Sequence, residues 1–122
     1  MIIILFIFSF FLYSCISSTK KKLISKIPLT HISPNEVIRI INTEKLIIID
    51  VRTKNEFKSG HIKNALLIPL HKIENMIKTI LHLRNNKILI YCRSGNRSSL
   101  AIHLFVKLGF KYLYNLRGGI TN

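Results

Sequence analysis

The chain has 122 residues, enough for one small domain with a modest core and a short appendage. It is 48% hydrophobic and carries a formal charge of +14, with every charged side chain placed after Ser18. Such a balance suits a nucleic acid, an anionic membrane or an anionic substrate, but Lys is simply abundant throughout, as Ile and Asn are, and neither a basic helix face interleaved with aromatics nor a nucleic-acid motif is present, so nucleic acid is not an expected partner.

The first segment, "MIIILFIFSFFLYSCI", is almost wholly apolar. Its run of about fifteen apolar residues from Ile2 to Ile16 is short of the ~20 that span a bilayer as a helix, and it suits the apolar region of a signal peptide. It ends in "LYSC", Leu12 to Cys15, which resembles the bacterial lipobox, where a peptidase cleaves before a lipid-modified cysteine. Tyr13 is bulkier than that pattern favours, and no Lys or Arg precedes the run. The expected organisation is a lipoprotein-like signal peptide over 1–14, a lipidated Cys15 opening a polar tether over 15–28, and a domain over 29–122. The domain would then be membrane-anchored in a bacterial cell envelope, facing away from the cytoplasm. The alternative is an uncleaved anchor, with "KKK" at Lys20 to Lys22 favouring a cytoplasmic domain.

"SPNE" opens the first helix, with Ser33 as N-cap, Pro34 in the first helical position and Glu36 completing a capping box. Val37, Ile40 and Ile41 give that helix its apolar face. "LIIID", Leu46 to Asp50, is an apolar run without alternation, as in a strand buried on both faces of a parallel sheet. "TKNEFKSG" reads as a helical turn or two stopped by Gly60, and "ALLIPL" as a short strand with Pro69 at its exit. Ile73, Met76, Ile77 and Ile80 mark a second amphipathic helix. "KILIY", Lys87 to Tyr91, is another buried strand, Ser98 to Leu108 a third helix stopped at Gly109, and "KYLYNL" a last strand. Strands alternating with helices predict an α/β domain with a mainly parallel sheet flanked by helices.

Cys15 and Cys92 lie in segments of different character, so no disulfide is expected between them. No CxxC pair or Cys/His cluster has zinc spacing, and His31, His61, His71, His82 and His103 are scattered, so neither a metal nor another cofactor is expected. Cys92 is different. It ends a buried strand and precedes a helix, and ligands of parallel sheets bind beyond the carboxyl ends of the strands. The helix N-terminus offers unpaired N–H groups. Ser94, Gly95 and Asn96 let the loop curl and aim its amides inward, while Arg93 and Arg97 add positive charge. A lone cysteine at a strand end is more often buried and inert. The residues that follow Cys92 favour a nucleophilic thiolate and an anion-binding loop instead.

These residues resemble the single-domain rhodanese family of sulfurtransferases. The first matching stretch is "IIIDVRTKNEFKSGHIKNALLIPL", with Asp50-Val51-Arg52, Glu56, Gly60-His61-Ile62, Ala65 and Ile68-Pro69. The second is "ILIYCRSGNRSSLAIHLFVKLGF", and the third is the glycine pair of "LRGGI". The resemblance implies a small α/β rhodanese-like domain with a mainly parallel five-stranded sheet flanked by helices, and a thiosulfate sulfurtransferase-like enzyme. Cys92 would take a sulfane sulfur from a small anionic donor such as thiosulfate and pass it, as a persulfide, to a thiol acceptor. Loop amides from Arg93, Ser94, Gly95, Asn96, Arg97 and Ser98 would hold the persulfide charge. Arg97 would brace the loop and Arg93 would steer the donor. By the same resemblance Asp50 supports the loop from the neighbouring strand end, Arg52 and Glu56 form a structural ion pair, and His61 is structural. A monomer is expected, with a C-terminal cover of the sheet shorter than in the family, whose members continue past the glycine pair with a tryptophan and a further turn or helix.

Two other readings compete. Related cell-cycle phosphatases have a loop one residue longer; here only Arg93, Ser94, Gly95 and Asn96 separate Cys92 from Arg97, which suits one sulfur atom better than a tetrahedral phosphate. A non-catalytic persulfide carrier or sulfur-binding module would keep the same loop.

Overall fold

The computed structural model describes residues 30–121; the apolar segment, Cys15 and the tether lie outside them. Strand β1 (Thr30–Ile32) leads into helix α1 (Pro34–Thr43), then β2 (Leu46–Asp50), α2 (Lys54–Lys58) and β3 (Leu66–Leu67). A 3₁₀ turn (Leu70–Lys72), α3 (Ile73–Met76) and a longer 3₁₀ segment (Ile77–Leu83) precede β4 (Lys87–Tyr91), α4 (Asn96–Lys107) and β5 (Tyr112–Leu116). The five strands form one sheet in the order β1-β5-β4-β2-β3, and every pairing is parallel.

β4 lies at the centre, with Ile90 level with Ile49 of β2 on one side and Asn115 of β5 on the other. Its side chains divide between two cores. Ile88, Ile90 and Cys92 pack with Ala101, Ile102 and Phe105 of α4 and with Ile73, Ile77 and Ile80. Leu89 and Tyr91 pack on the opposite face with Ile32, Val37, Ile48 and Leu116. Burial on both faces explains why the sequence shows no polar alternation there. The two-residue period of the strand is nevertheless what sends Cys92 to the α4 side.

The capping box of α1 forms as expected: Ser33 Oγ accepts from the Glu36 N–H, and Glu36 Oε2 accepts from the Ser33 N–H at 2.7 Å. The apolar face of α1 is narrower than expected, because Val37 is buried and Ile40 half-buried while Ile41 is exposed. The helix expected around Ile73 to Ile80 is one α turn followed by 3₁₀ geometry. Its three-residue period keeps Ile77 and Ile80 facing the core. β3 is only two residues long; the Ile68 N–H donates to the Asp50 carbonyl, and Leu70, past Pro69, donates to the Val51 carbonyl.

Beneath the Cys92 strand, on the face away from α4, lies a buried polar cluster. Asp50 accepts from Arg52 Nε and Nη2 and from the Tyr91 hydroxyl, the last two at 2.7 and 2.6 Å. Arg52 also donates to the Gly60 carbonyl, and Tyr91 accepts from the Ile62 N–H. The Arg52 guanidinium sits 5.6 Å from the centre of the Tyr91 ring. Burial, then the hydrogen bond to Asp50, pushes the Tyr91 phenol up to about 12, so it stays a donor. This arrangement corrects the expected Arg52–Glu56 pair: Arg52 is bound to Asp50, two residues back along β2 and its exit.

Breaking a buried pair from one side strands the other charge. Arg52→Leu leaves Asp50 uncompensated and is expected to cost about 3–5 kcal/mol in chemical denaturation. Tyr91→Phe removes one neutral donor from Asp50 and an acceptor from Ile62, and is expected to cost less, about 1–3 kcal/mol. Equal costs for the two variants would show that the ion pair is not what the cluster depends on.

Candidate active site

Cys92 follows β4 directly and is fully buried, at 0% exposure. The chain then turns through Arg93 and Ser94 to Gly95, whose φ of 99° lies in the left-handed region that favours glycine. That conformation points the Gly95 N–H back at the sulfur, 3.0 Å from Cys92 Sγ. α4 begins at Asn96, two residues before the start expected from the sequence, so Asn96, Arg97 and Ser98 form its first turn. Ser98 is buried, with its hydroxyl 3.4 Å from the sulfur. Arg93, Ser94 and Asn96 are exposed at the rim.

Two opposing effects set the thiol's acidity. Burial pushes it up. The Ser98 hydroxyl and the N–H groups of Ser98, Gly95 and Ser94 pull it down more strongly, and the net shift is below the ordinary thiol value. The loop therefore favours the thiolate through oriented amide dipoles rather than through a cation in contact with the sulfur.

Arg97, in the first turn of α4, is paired with Glu56 of α2. Nη1 and Nη2 donate to the two carboxylate oxygens at 2.8 and 2.7 Å. Glu56 is itself held by a capping box, accepting from the Thr53 N–H at 2.9 Å. Thus Glu56, expected beside Arg52, instead ties α2 to the first turn of α4. Asp50 has no hydrogen bond to the loop among the described residues; it meets the site's strand at Tyr91, the residue before Cys92, whose hydroxyl donates to it. His61 stacks on Phe57, with ring centroids 3.6 Å apart, and its Nδ1 lies 2.8 Å from the Phe57 carbonyl, in a structural role.

Two sets of residues make contacts at the site that the sequence did not show. The first is the segment after β5, whose glycine pair had been matched only as part of the family resemblance. Gly119, at φ 72°, lies so close to the loop that a Cβ there would fall 2.1 Å from the Arg93 carbonyl oxygen. Ile120 N–H donates to the Cys92 carbonyl and the Thr121 hydroxyl to the Arg93 carbonyl, at 3.0 and 2.9 Å. The glycine pair thus has a local reason, since only a residue without a side chain lets this segment pack on the loop backbone. The second is Asn115 of β5, which accepts from the Ser98 hydroxyl at 2.7 Å. Its signal was a polar residue inside the apolar strand "YLYNL".

The Arg97–Glu56 pair carries a pH dependence. The Arg97 hydrogen bond, against a smaller opposing effect of burial and with help from Thr53, lowers the Glu56 carboxyl from 4.5 to about 2. A lowered folded-state pKa means stability that is present above pH 4.5 and lost as pH falls through about 2. Both side chains are about one-third exposed, at 33% and 30%, so solvent screening limits the effect. Glu56→Gln is expected to cost about 1 kcal/mol at neutral pH and to flatten the acid limb of the stability profile between those values. An unchanged acid limb would exclude this pair as its source.

The chain matches the family model of the Rhodanese-like domain over residues 33–122. It is 38% identical over 82 residues to a sulfurtransferase of Allochromatium vinosum, covering 67% of this chain and 75% of that protein. It is 34% identical over 94 residues to a tRNA uridine(34) hydroxylase of Buchnera aphidicola, covering 74% of this chain but only 29% of that protein. Among solved structures it is similar to a rhodanese-like domain protein from Staphylococcus aureus, with 29% identity and a TM-score of 0.68 over 75% of this chain and 88% of that one. A rhodanese-related protein from Thermoplasma volcanium gives 27% identity and a TM-score of 0.66 over 75% and 86% of the two chains. An all-parallel five-stranded sheet, a cysteine at the end of its central strand and a loop of inward amides thus occur in a chain that belongs to the rhodanese-like domain family.

Proposed function

We propose that this protein is a sulfurtransferase that moves a sulfane sulfur from a small anionic donor of the thiosulfate type to a thiol acceptor through a Cys92 persulfide. The observation that carries the reading is the Gly95 N–H held 3.0 Å from Cys92 Sγ, within a loop that favours the thiolate. The thiolate attacks the outer sulfur of thiosulfate. A Cys92 S–S bond forms, the donor's S–S bond breaks, and sulfite leaves with the electron pair. The outer sulfur of the persulfide keeps the negative charge, which the loop amides are placed to stabilise. An acceptor thiolate then attacks that outer sulfur and regenerates the Cys92 thiolate. No general base is needed at either step. Because Cys92 is fully buried, the exposed turn over Arg93 to Asn96 must yield for a donor to arrive. Arg93 is exposed on that turn and can attract an anion.

Phosphate-ester cleavage is disfavoured by the length of the loop: only four residues separate Cys92 from Arg97, a cradle sized for one sulfur atom rather than a tetrahedral oxyanion. The hydroxylase relatives suggest RNA-directed chemistry, but this chain spans less than a third of their length, against three quarters of the sulfurtransferase.

Thiosulfate treatment is expected to add the mass of one sulfur to the Cys92 peptide, and cyanide or a small thiol to remove it. Cys92→Ser should abolish both, and aryl phosphate hydrolysis should be absent throughout. Multiple turnovers in a thiosulfate:cyanide assay separate an enzyme from a carrier that loads once. Phosphate release dependent on Cys92 would reverse the assignment.

Location follows a separate line. The "LYSC" stretch supports a lipid-anchored chain that begins at Cys15 outside the cytoplasmic membrane. Fatty-acid labelling in a bacterial host should mark the wild type and not Cys15→Ala. An unlabelled membrane-bound chain retaining Met1 would point to the uncleaved anchor.

A further inference from the structure

A serine hydroxyl has one hydrogen to give. Ser98 Oγ has three neighbours that could take it: Cys92 Sγ at 3.4 Å, the Gly95 carbonyl at 3.0 Å and Asn115 Oδ1 at 2.7 Å. The Gly95 carbonyl already receives the Ser99 N–H at 3.1 Å and the Ser99 hydroxyl at 2.8 Å. With its hydrogen spent there, Ser99 Oγ accepts from Asn115 Nδ2 at 3.3 Å, and His31 Nδ1 lies 3.4 Å from the same nitrogen. In this arrangement the amide nitrogen of Asn115 faces Ser99 and His31, and its oxygen faces Ser98. Asn115 is only 2% exposed, and Ser98 is the one donor its Oδ1 receives among the described residues. The resting Ser98 hydrogen therefore belongs to Asn115, and a Ser98 lone pair faces the sulfur.

We propose that Asn115 is a positioning residue for sulfur transfer, acting on Cys92 by competing with the sulfur for the single hydrogen of Ser98. In the thiol, the S–H can donate to Ser98 Oγ while Ser98 donates to Asn115. When the thiol proton leaves to solvent, the Ser98 hydrogen swings to the thiolate, and the buried Asn115 oxygen loses its donor. That orphaned acceptor is a cost carried only by the thiolate. In the persulfide the charge lies on the outer sulfur and Sγ is neutral, so the hydrogen can return to Asn115. The relay thus holds back ionisation of the empty enzyme and favours the loaded one.

Other groups near the sulfur are accounted for. Arg93 lies on the same loop, and Arg97 on α4 is paired with Glu56 of α2. Asp50, Arg52 and Tyr91 form a closed set on the other face of the sheet. His31 of β1 reaches the relay only at Asn115, and the α3 side presents the apolar Ile73 and Ile77.

The inference rests on the sulfurtransferase reading for its purpose, but its test does not need turnover. Alkylation of Cys92 by iodoacetamide is followed against pH on the Cys92 peptide by mass spectrometry, which separates it from Cys15. Asn115→Leu, similar in size but without an acceptor, should move the alkylation midpoint to lower pH. Below that midpoint it should raise the rate about tenfold, the scale of one hydrogen bond to a charged group. Asn115→Ala should move it the same way and serves where the leucine variant does not fold. In a Ser98→Ala background both changes should leave the midpoint where Ser98→Ala alone places it. A midpoint that stays still or rises, or one that shifts equally without Ser98, overturns the relay. A wild-type chain that takes no sulfur from thiosulfate, yet shows the stated shifts, sinks the sulfurtransferase reading and keeps the relay. A chain that loads sulfur with an unmoved midpoint sinks the relay alone.

Discussion

The register of β4 is the constraint on which the rest depends. The strand is paired on both edges and buried on both faces, so it cannot slide without exchanging its two sets of side chains. A slip of one residue would send Tyr91 toward α4 and Cys92 toward the Asp50 cluster. The strand's apolar residues thus define where the nucleophile emerges and which way it faces. The parallel arrangement supplies the other half, because a parallel strand must be followed by a crossover, and here that crossover is a helix whose first turn closes over the sulfur.

Around that fixed point the loop is held by three ties of different chemistry. Arg97 and Glu56 bind it laterally to α2. The backbone of Gly119 and Ile120 and the Thr121 hydroxyl close on it from the end of β5. The Asp50, Arg52 and Tyr91 cluster anchors the strand end below it. None of the three puts a charged side chain against the sulfur. Each acts on the backbone, and the backbone delivers the N–H groups. Preorganised amides of this kind need no rearrangement when charge appears, which is how a loop with no cation in contact with the sulfur can favour an anion in a buried place.

The strands and helices at the centre were legible because their side chains obey simple periods. "LIIID" and "KILIY" are apolar on both faces, and "SPNE" carries its cap in four adjacent residues. The candidate nucleophile was legible because a cysteine followed by small residues at a strand end is unusual. What escaped were relations between residues distant in sequence. Arg52 and Glu56 look like a natural helix-spaced pair, four residues apart, yet Asp50 lies nearer to Arg52 on the buried side and Arg97 reaches Glu56 from forty-one residues away. β1, at three residues, is too short to show a period. Asn115 shows only as a polar residue in an apolar strand, and nothing local names Ser98 as its partner.

Arg97 is tied to Glu56 through both Nη1 and Nη2, and Glu56 is held in turn by the cap of α2, so two charge-assisted bonds fix where the guanidinium sits beside the loop. The site then has dipoles aimed at one atom, with Arg93 exposed at the rim. Dipoles converging on a point match a charge held on one polarisable sulfur. They match poorly a dianion spread over several oxygens, which would need donors along its whole perimeter. The same economy accounts for the serine and the asparagine behind it: once the charge sits on one atom, one hydrogen is enough to tune it, and a second buried acceptor is enough to contest that hydrogen.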